Sequence, residues 1–153
     1  QTQNLLKMGF DAVYQDRISN AQERAYGYYN WRIRNVLSRY KFLNILQKYD
    51  FERMIPYMYS EDVKEDNVYP TLVCGYDRTP RAGKNAKIVF NFTPKTWKKH
   101  VKSILDVIKT KPSKHNIVFL KSWNEWGEGN YMEPDLKYGT SLLDILANEL
   151  IDK

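Results

Sequence analysis

Glu125 and Glu128 stand three residues apart within Ser122-Trp123-Asn124-Glu125-Trp126-Gly127-Glu128-Gly129-Asn130-Tyr131-Met132-Glu133-Pro134-Asp135. Carboxyl groups beside tryptophans are the tools of glycosidic-bond chemistry. One carboxyl donates a proton to the departing oxygen, and the other stabilises or captures the oxocarbenium charge or activates an acceptor. The competing reading is a pair of structural surface glutamates, but surface loops seldom carry two tryptophans. Trp123, Asn124 and Trp126 are therefore read as walls of a saccharide site. Glu133 is suited to accept hydrogen bonds from sugar hydroxyls, and Asp135 to anchor its loop through backbone N–H groups.

A second constellation is Gly75-Tyr76-Asp77-Arg78-Thr79-Pro80-Arg81. Arg78 or Arg81 can hold a phosphate or carboxylate with a forked pair of donors. Asp77 can bind a sugar hydroxyl, and a salt-bridged loop is the plainer alternative. Tyr26-Gly27-Tyr28-Tyr29-Asn30-Trp31 offers aromatic faces for stacking or for packing. No Asp-x-Asp metal motif for a nucleotide-sugar donor is visible, which favours metal-independent chemistry. His100 and His115 lack ligand spacing, so neither a metal nor another cofactor is expected.

These residues must be positioned by alternating strands and helices. Leu5, Leu6 and Met8 read as a last helical turn stopped by Gly9. Strands are expected at Phe10–Tyr14, Tyr69–Cys74 and Asn116–Leu120, with a shorter extended piece at Lys87–Asn91. Residues 16–30 read as a long loop, Trp31–Tyr49 as a helix, and residues 75–87 as another loop. Asp50 caps a short turn ending at Pro56. Thr93-Pro94 opens a helix with Trp97, Val101, Ile104, Leu105 and Ile108 on one face. A last helix begins near Ser141, with Asp144 in a capping-box position and Leu142, Leu143, Leu146, Ala147 and Leu150 on its apolar face. Strands alternating with helices imply an α/β fold with a parallel sheet. Three such strands make either a small open sheet or the last three units of a (β/α)8 barrel. In a barrel, the segments after the second and third strands share one rim.

The 153 residues are 42% hydrophobic and 14% aromatic, which favours a packed core over disorder. The formal net charge of +6 describes a solvated basic surface or contact with an anionic sugar donor, polysaccharide or membrane surface. No nucleic-acid motif accompanies it, and no apolar run approaches a membrane span. The single Cys74 excludes an internal disulfide and suits a reducing, cytoplasmic setting. It reads as a buried structural thiol. The chain starts without Met, as if within a helix, and is expected to be a piece of a longer polypeptide.

Residues 122–135, continuing through Tyr138-Gly139 to Leu142-Leu143, closely resemble the C-terminal signature of the WbsX-type glycosyltransferase family. That family is found in bacterial lipopolysaccharide O-antigen and capsule loci and is related to glycoside hydrolase family 99. Its signature reads Trp-Asn-Glu-Trp-x-Glu-Gly followed by Glu-Pro-Asp. Gly9-Phe10-Asp11-Ala12-Val13 matches the family's Gly-Phe-Asp-Ala segment. Tyr69-Pro70 through Gly75–Arg81 matches its Trp-Asp-x-Thr-x-Arg segment. The resemblance covers nearly the whole chain, and the last motif is the most specific. It implies that residues 1–153 are a single partial domain, the C-terminal portion of a (β/α)8 barrel whose remainder lies elsewhere in the parent chain. It also implies a saccharide substrate and a role in cell-surface polysaccharide biosynthesis, by transfer or by hydrolysis. Carried over, Glu125 is the partner of the sugar 2-hydroxyl and Glu128 the acid/base. Tyr76, Asp77 and Arg81 fall among the substrate-binding positions. Gly127 departs from the family 99 hydrolases, which commonly have His there, so endo-mannosidase specificity is not implied. Tyr76 stands where the family often has Trp. The alternative is a non-catalytic carbohydrate-binding or scaffold domain that retains the fold.

Overall fold

The computed structural model describes residues 2–151. In chain order its elements are α1 (Thr2–Lys7), β1 (Val13–Gln15), α2 (Ile18–Tyr26), α3 (Tyr28–Leu37), β2 (Gln47–Asp50), α4 (Phe51–Met54), β3 (Val68–Leu72), β4 (Tyr76–Asp77), α5 (Thr79–Ala82), β5 (Lys87–Phe90), α6 (Pro94–Ile108), β6 (Phe119–Leu120), β7 (Asn124–Glu125), β8 (Asn130–Tyr131) and α7 (Ser141–Ile151). The fold is mixed α/β with parallel strand pairing, as the alternating pattern requires.

The three expected strands form one parallel sheet in the order β1-β3-β6. Tyr14 pairs with Tyr69, and Thr71 with Phe119, so these side chains share one face. Tyr14 and Phe119 are exposed there, their rings 5.6 Å apart. The opposite face, with Val68 and Leu72, is buried.

Helix α6 covers that buried face. Thr93 accepts the Thr96 N–H at 3.2 Å, and the Thr96 hydroxyl accepts the Thr93 N–H at 2.9 Å. This reciprocal cap satisfies two orphan donors and fixes where the helix begins. Trp97, Val101, Ile104, Leu105 and Ile108 then fall on one buried stripe against Leu72, Cys74, Met132 and Leu142. Each large apolar side chain buried this way contributes roughly 1.5–3 kcal/mol. The Trp97 indole N–H donates to the Leu142 carbonyl at 3.0 Å, tying α6 to α7.

A second sheet was not expected. Its order is β2-β5-β4, with β2 parallel and β4 antiparallel to β5. The Trp31–Tyr49 stretch is thus α-helical only to Leu37, with one short 3-10 turn at Lys41–Leu43, and its end is a strand in which Gln47 and Tyr49 are buried while Lys48 is exposed. That period of two outweighs the blurred helical stripe. Residues 16–30 are likewise not a loop but α2 and the start of α3. The buried face of α2 is made of Ala21, Gln22 and Ala25, too small and polar to stand out as an apolar stripe. The 75–87 stretch holds β4 and α5 rather than a plain loop. Phe92 bridges the two cores, packing edge-on against Phe51 (5.1 Å) and Trp97 (5.9 Å).

Smaller expectations held. Gly9 follows α1 at φ +95°, and Asp50 caps α4 by accepting from the Glu52 and Arg53 N–H groups. Helix α7 begins at Ser141 as expected, and Asp144 in its first turn accepts from the Thr140 hydroxyl at 2.9 Å. Its Ala147 and Leu150 are exposed.

Candidate functional site

The signature segment folds as a hairpin. Strands β7 and β8 pair antiparallel, with Asn124 opposite Tyr131 and Glu125 opposite Asn130. Between them, Trp126–Glu128 makes one tight helical turn that ends on Gly129 in the left-handed conformation, φ +56°. Gly129 is required there twice over. Besides its φ, a Cβ would lie 3.0 Å from both the backbone nitrogen and the Cβ of Asp77. The hairpin therefore presses directly on the segment following β3. Buried Asn130 secures this contact, donating to the Gly75 carbonyl at 2.6 Å. The Ser122 hydroxyl accepts the Glu125 N–H at 3.1 Å.

This packing brings the two sequence constellations together. Arg81 Nη2 donates to Glu125 Oε1 at 2.9 Å, and Arg81 Nη1 to Glu128 Oε1 at 3.3 Å. Arg78 Nε lies 3.5 Å from the same Glu128 oxygen. One guanidinium thus spans both candidate catalytic carboxylates. Its position is set by α5, whose start is held by Asp77: Oδ1 accepts the Thr79 N–H at 2.8 Å and its hydroxyl at 2.7 Å. The Tyr76 phenol lies near Glu128. Its pKa is raised, first by burial and then by the negative charge of Glu128, with Arg78 and Arg81 opposing.

The aromatic half lies on the other strand. Trp126 stacks on Tyr131 at 3.7 Å and 17°, and its indole N–H donates to Glu133 Oε2 at 2.5 Å. Tyr131 donates to Asp135 Oδ2 at 2.9 Å. Burial, then this bond and the Asp135 charge, push the Tyr131 phenol up to about 12. Asp135 Oδ1 accepts the N–H groups of Lys137 and Tyr138, the anchoring role expected of it. Trp123 is half exposed, and Asn124 is exposed on β7.

Among the expected site residues, Glu125, Glu128, Arg81, Tyr76 and Asp77 form one cluster, and Trp126 with Glu133 forms another. Asp77 spends one carboxylate oxygen on Thr79, so its main contact is structural. Tyr131 and Asn130 were not anticipated. The hairpin register that makes them matter is visible only once Gly129 is known to turn the chain. Two cavities flank the hairpin. One of about 420 Å³ is lined by Tyr76, Asp77, Phe90, Tyr131, Asp135 and Tyr138, among others. The other, about 610 Å³ and open, lies against Trp126, Tyr131, Pro134 and Lys137. Both touch Tyr131 and Asp135. Glu125 and Glu128 line neither and stand at the surface beneath Arg81.

Cys74 and Tyr26 are structural. Cys74 is buried, its thiol donating to the Ser122 carbonyl at 3.4 Å and pushed up to about 11, mainly by burial. Tyr26 packs edge-on against Tyr49 at 5.2 Å, and its hydroxyl accepts the Asp50 N–H at 2.7 Å. Among the described residues, no three His, Cys, Asp or Glu side chains converge as metal ligands would. Within the same residues, no helix is long and apolar enough to cross a membrane.

Residues 1–146 match the family model described as Glycosyltransferase WbsX. The chain is also similar to the uncharacterized protein WxcX of Xanthomonas campestris pv. campestris. Identity to the strain B100 protein is 28% over 103 residues, 67% of this chain and 15% of that protein. Identity to the strain ATCC 33913 protein is 28% over 102 residues, 66% of this chain and 15% of that protein. The matched stretch thus spans about 15% of the length of these relatives. No solved structure matches the chain.

Proposed function

The chain belongs to the WbsX glycosyltransferase family, and we propose that it is part of a carbohydrate-active enzyme acting on glycosidic bonds in the building of bacterial cell-surface polysaccharide. The observation that carries this reading is the placement of Glu125 and Glu128 on one hairpin turn, within reach of a single guanidinium and flanked by half-exposed Trp123 and Trp126. Two adjacent carboxyl groups with aromatic neighbours meet the needs of glycosyl chemistry, whether the acceptor is water or a sugar. In the proposed division of labour, Glu125 takes the proton of a sugar 2-hydroxyl and Glu128 exchanges a proton with the glycosidic oxygen. Arg81, Tyr76 and Asp77 complete one wall, and Trp123, Asn124, Trp126 and Glu133 the other.

The β1-β3-β6 sheet supports an arc of a (β/α)8 barrel. Its strands are parallel and follow one another in sequence order across the sheet, one face is covered by α6, and the other carries open aromatic side chains. In that arrangement the remaining walls of the saccharide site come from the rest of the barrel.

The second reading, a carbohydrate-binding domain without turnover, has its own support. Arg81 and Arg78 already engage both carboxylates, as in a structural ion-pair network. Separate Glu125→Gln and Glu128→Gln substitutions in the full-length protein decide between them. Cleavage is assayed on a panel of 4-nitrophenyl glycosides, and transfer by nucleotide release from nucleotide sugars. The enzyme reading expects each substitution to cost about 100-fold or more. Unchanged turnover in both variants overturns it, and saccharide binding without wild-type turnover supports the binding domain.

A further inference from the structure

One segment of this chain carries basic side chains and no acidic ones. Between Glu23 and Asp50 lie Arg24, Arg32, Arg34, Arg39, Lys41 and Lys48, with no Asp or Glu among them. Helix α3 occupies the centre of this segment, and none of its residues is buried. Tyr29, Ile33, Val36 and Leu37 recur at helical spacing and share one face. They are 80%, 57%, 42% and 38% exposed, and with Arg32 they line one shallow depression. In the turn beyond the helix, Tyr40 and Phe42 extend the apolar surface at 53% and 76% exposed.

Large apolar side chains gathered on a surface mark a site of association. Within the segment they are accompanied by cations and tyrosines and by no acid. This is the composition of a helix lying in a membrane interface, where the apolar face enters the headgroup boundary and the cations meet lipid phosphates. Tyrosine, apolar in its ring and polar at its tip, suits the headgroup level. We propose that α3 and the turn through Phe42 dock the protein peripherally on an anionic lipid bilayer. Charge selects this occupant. A zwitterionic surface has phosphates but no net negative potential to attract the cations, and a second copy sets two such segments against each other. The contact lies along the surface and does not span the bilayer.

Flotation of the full-length protein with vesicles tests this. The probes are phosphatidylcholine alone and phosphatidylcholine with about 30% phosphatidylglycerol, each at about 50 and about 300 mM salt. Binding to the anionic vesicles should exceed that to the neutral ones by about tenfold or more and should collapse at the higher salt. The pair Tyr29→Ser with Ile33→Ser, and the pair Arg32→Glu with Arg39→Glu, should each weaken binding about tenfold or more. All four residues are exposed, so melting temperatures should match the wild type. Absence of binding, equal binding to both vesicles, or wild-type binding by either double variant overturns the proposal. So does a stable dimer in light scattering that Ile33→Ser dissociates. No glycosyl substrate enters the measurement, so its outcome is separate from that of the carbohydrate reading.

Discussion

The Arg81 guanidinium rests on Gly127: its Nε and Nη2 lie 3.0 and 3.2 Å from where a Cβ on that glycine would stand. Glu125 Oε1 is 3.2 Å from the same point. The bare glycine is what lets one arginine lie between the two glutamates. Gly127→Ala should displace Arg81 and disturb the carboxylate pair. On the enzyme reading, turnover of the full-length protein falls about tenfold or more, since small misplacements of catalytic groups are costly. Stability should hardly change, because Arg81 is half exposed and such ion pairs contribute little. Steady-state kinetics beside a thermal melt checks both halves. Wild-type turnover in Gly127→Ala would show that the bridge is dispensable.

Two residues on, Gly129→Ala should behave in the opposite way. Its φ of +56° costs a side chain about 1–2 kcal/mol, and the added Cβ meets Asp77 backbone that has no room to yield. A loss of about 2 kcal/mol or more is expected in chemical denaturation. A wild-type midpoint would mean that the hairpin does not press on the β3–β4 segment.

His100 gives a pH dependence with a definite sign. It is fully buried, its Nε2 accepts the Val73 N–H at 3.2 Å, and burial lowers its pKa to about 3. The unfolded chain therefore binds a proton near pH 6.5 that the folded chain refuses until about pH 3. The resulting stability is complete above pH 6.5 and is lost as pH falls through that window. The slope is on the order of 1 kcal/mol per pH unit. His100→Gln keeps an acceptor and removes the titration, so its unfolding free energy should fall less between pH 6.5 and 4 than that of the wild type. Parallel curves for the two proteins would rule this out.

Cys74 should be nearly inert in the folded protein. With its thiol pushed up to about 11, its thiolate fraction at pH 8 is about a hundredfold below that of an ordinary cysteine, and burial adds a steric barrier. Modification by a disulfide reagent should track global unfolding across a denaturant series. Rapid labelling under native conditions would contradict the buried placement.

Helix α6 was legible because its signals are local: Thr93 and Pro94 at the start and an apolar stripe of regular period. The strands of the β1-β3-β6 sheet were legible as short apolar runs, although each is shorter or shifted in the structure. Strand β2 was not, since Gln47-Lys48-Tyr49-Asp50 carries no apolar run and becomes a strand only by pairing with Lys87–Phe90. Helix α2 escaped notice because small alanines carry its buried face.

By itself, the sequence determined the α/β alternation, the caps, the buried thiol and the family signature with its two glutamates. All of these depend on neighbours within a few residues. Only the tertiary structure decided what those glutamates touch. Arg81 lies 44 and 47 positions before Glu125 and Glu128, and no local pattern records such a pairing. It arises because β3 and β6 run side by side and the turn at Gly129 sets the hairpin onto Asp77. An arginine that the sequence offers to a substrate's anionic group is thereby given, in the fold, to the protein's own carboxylates.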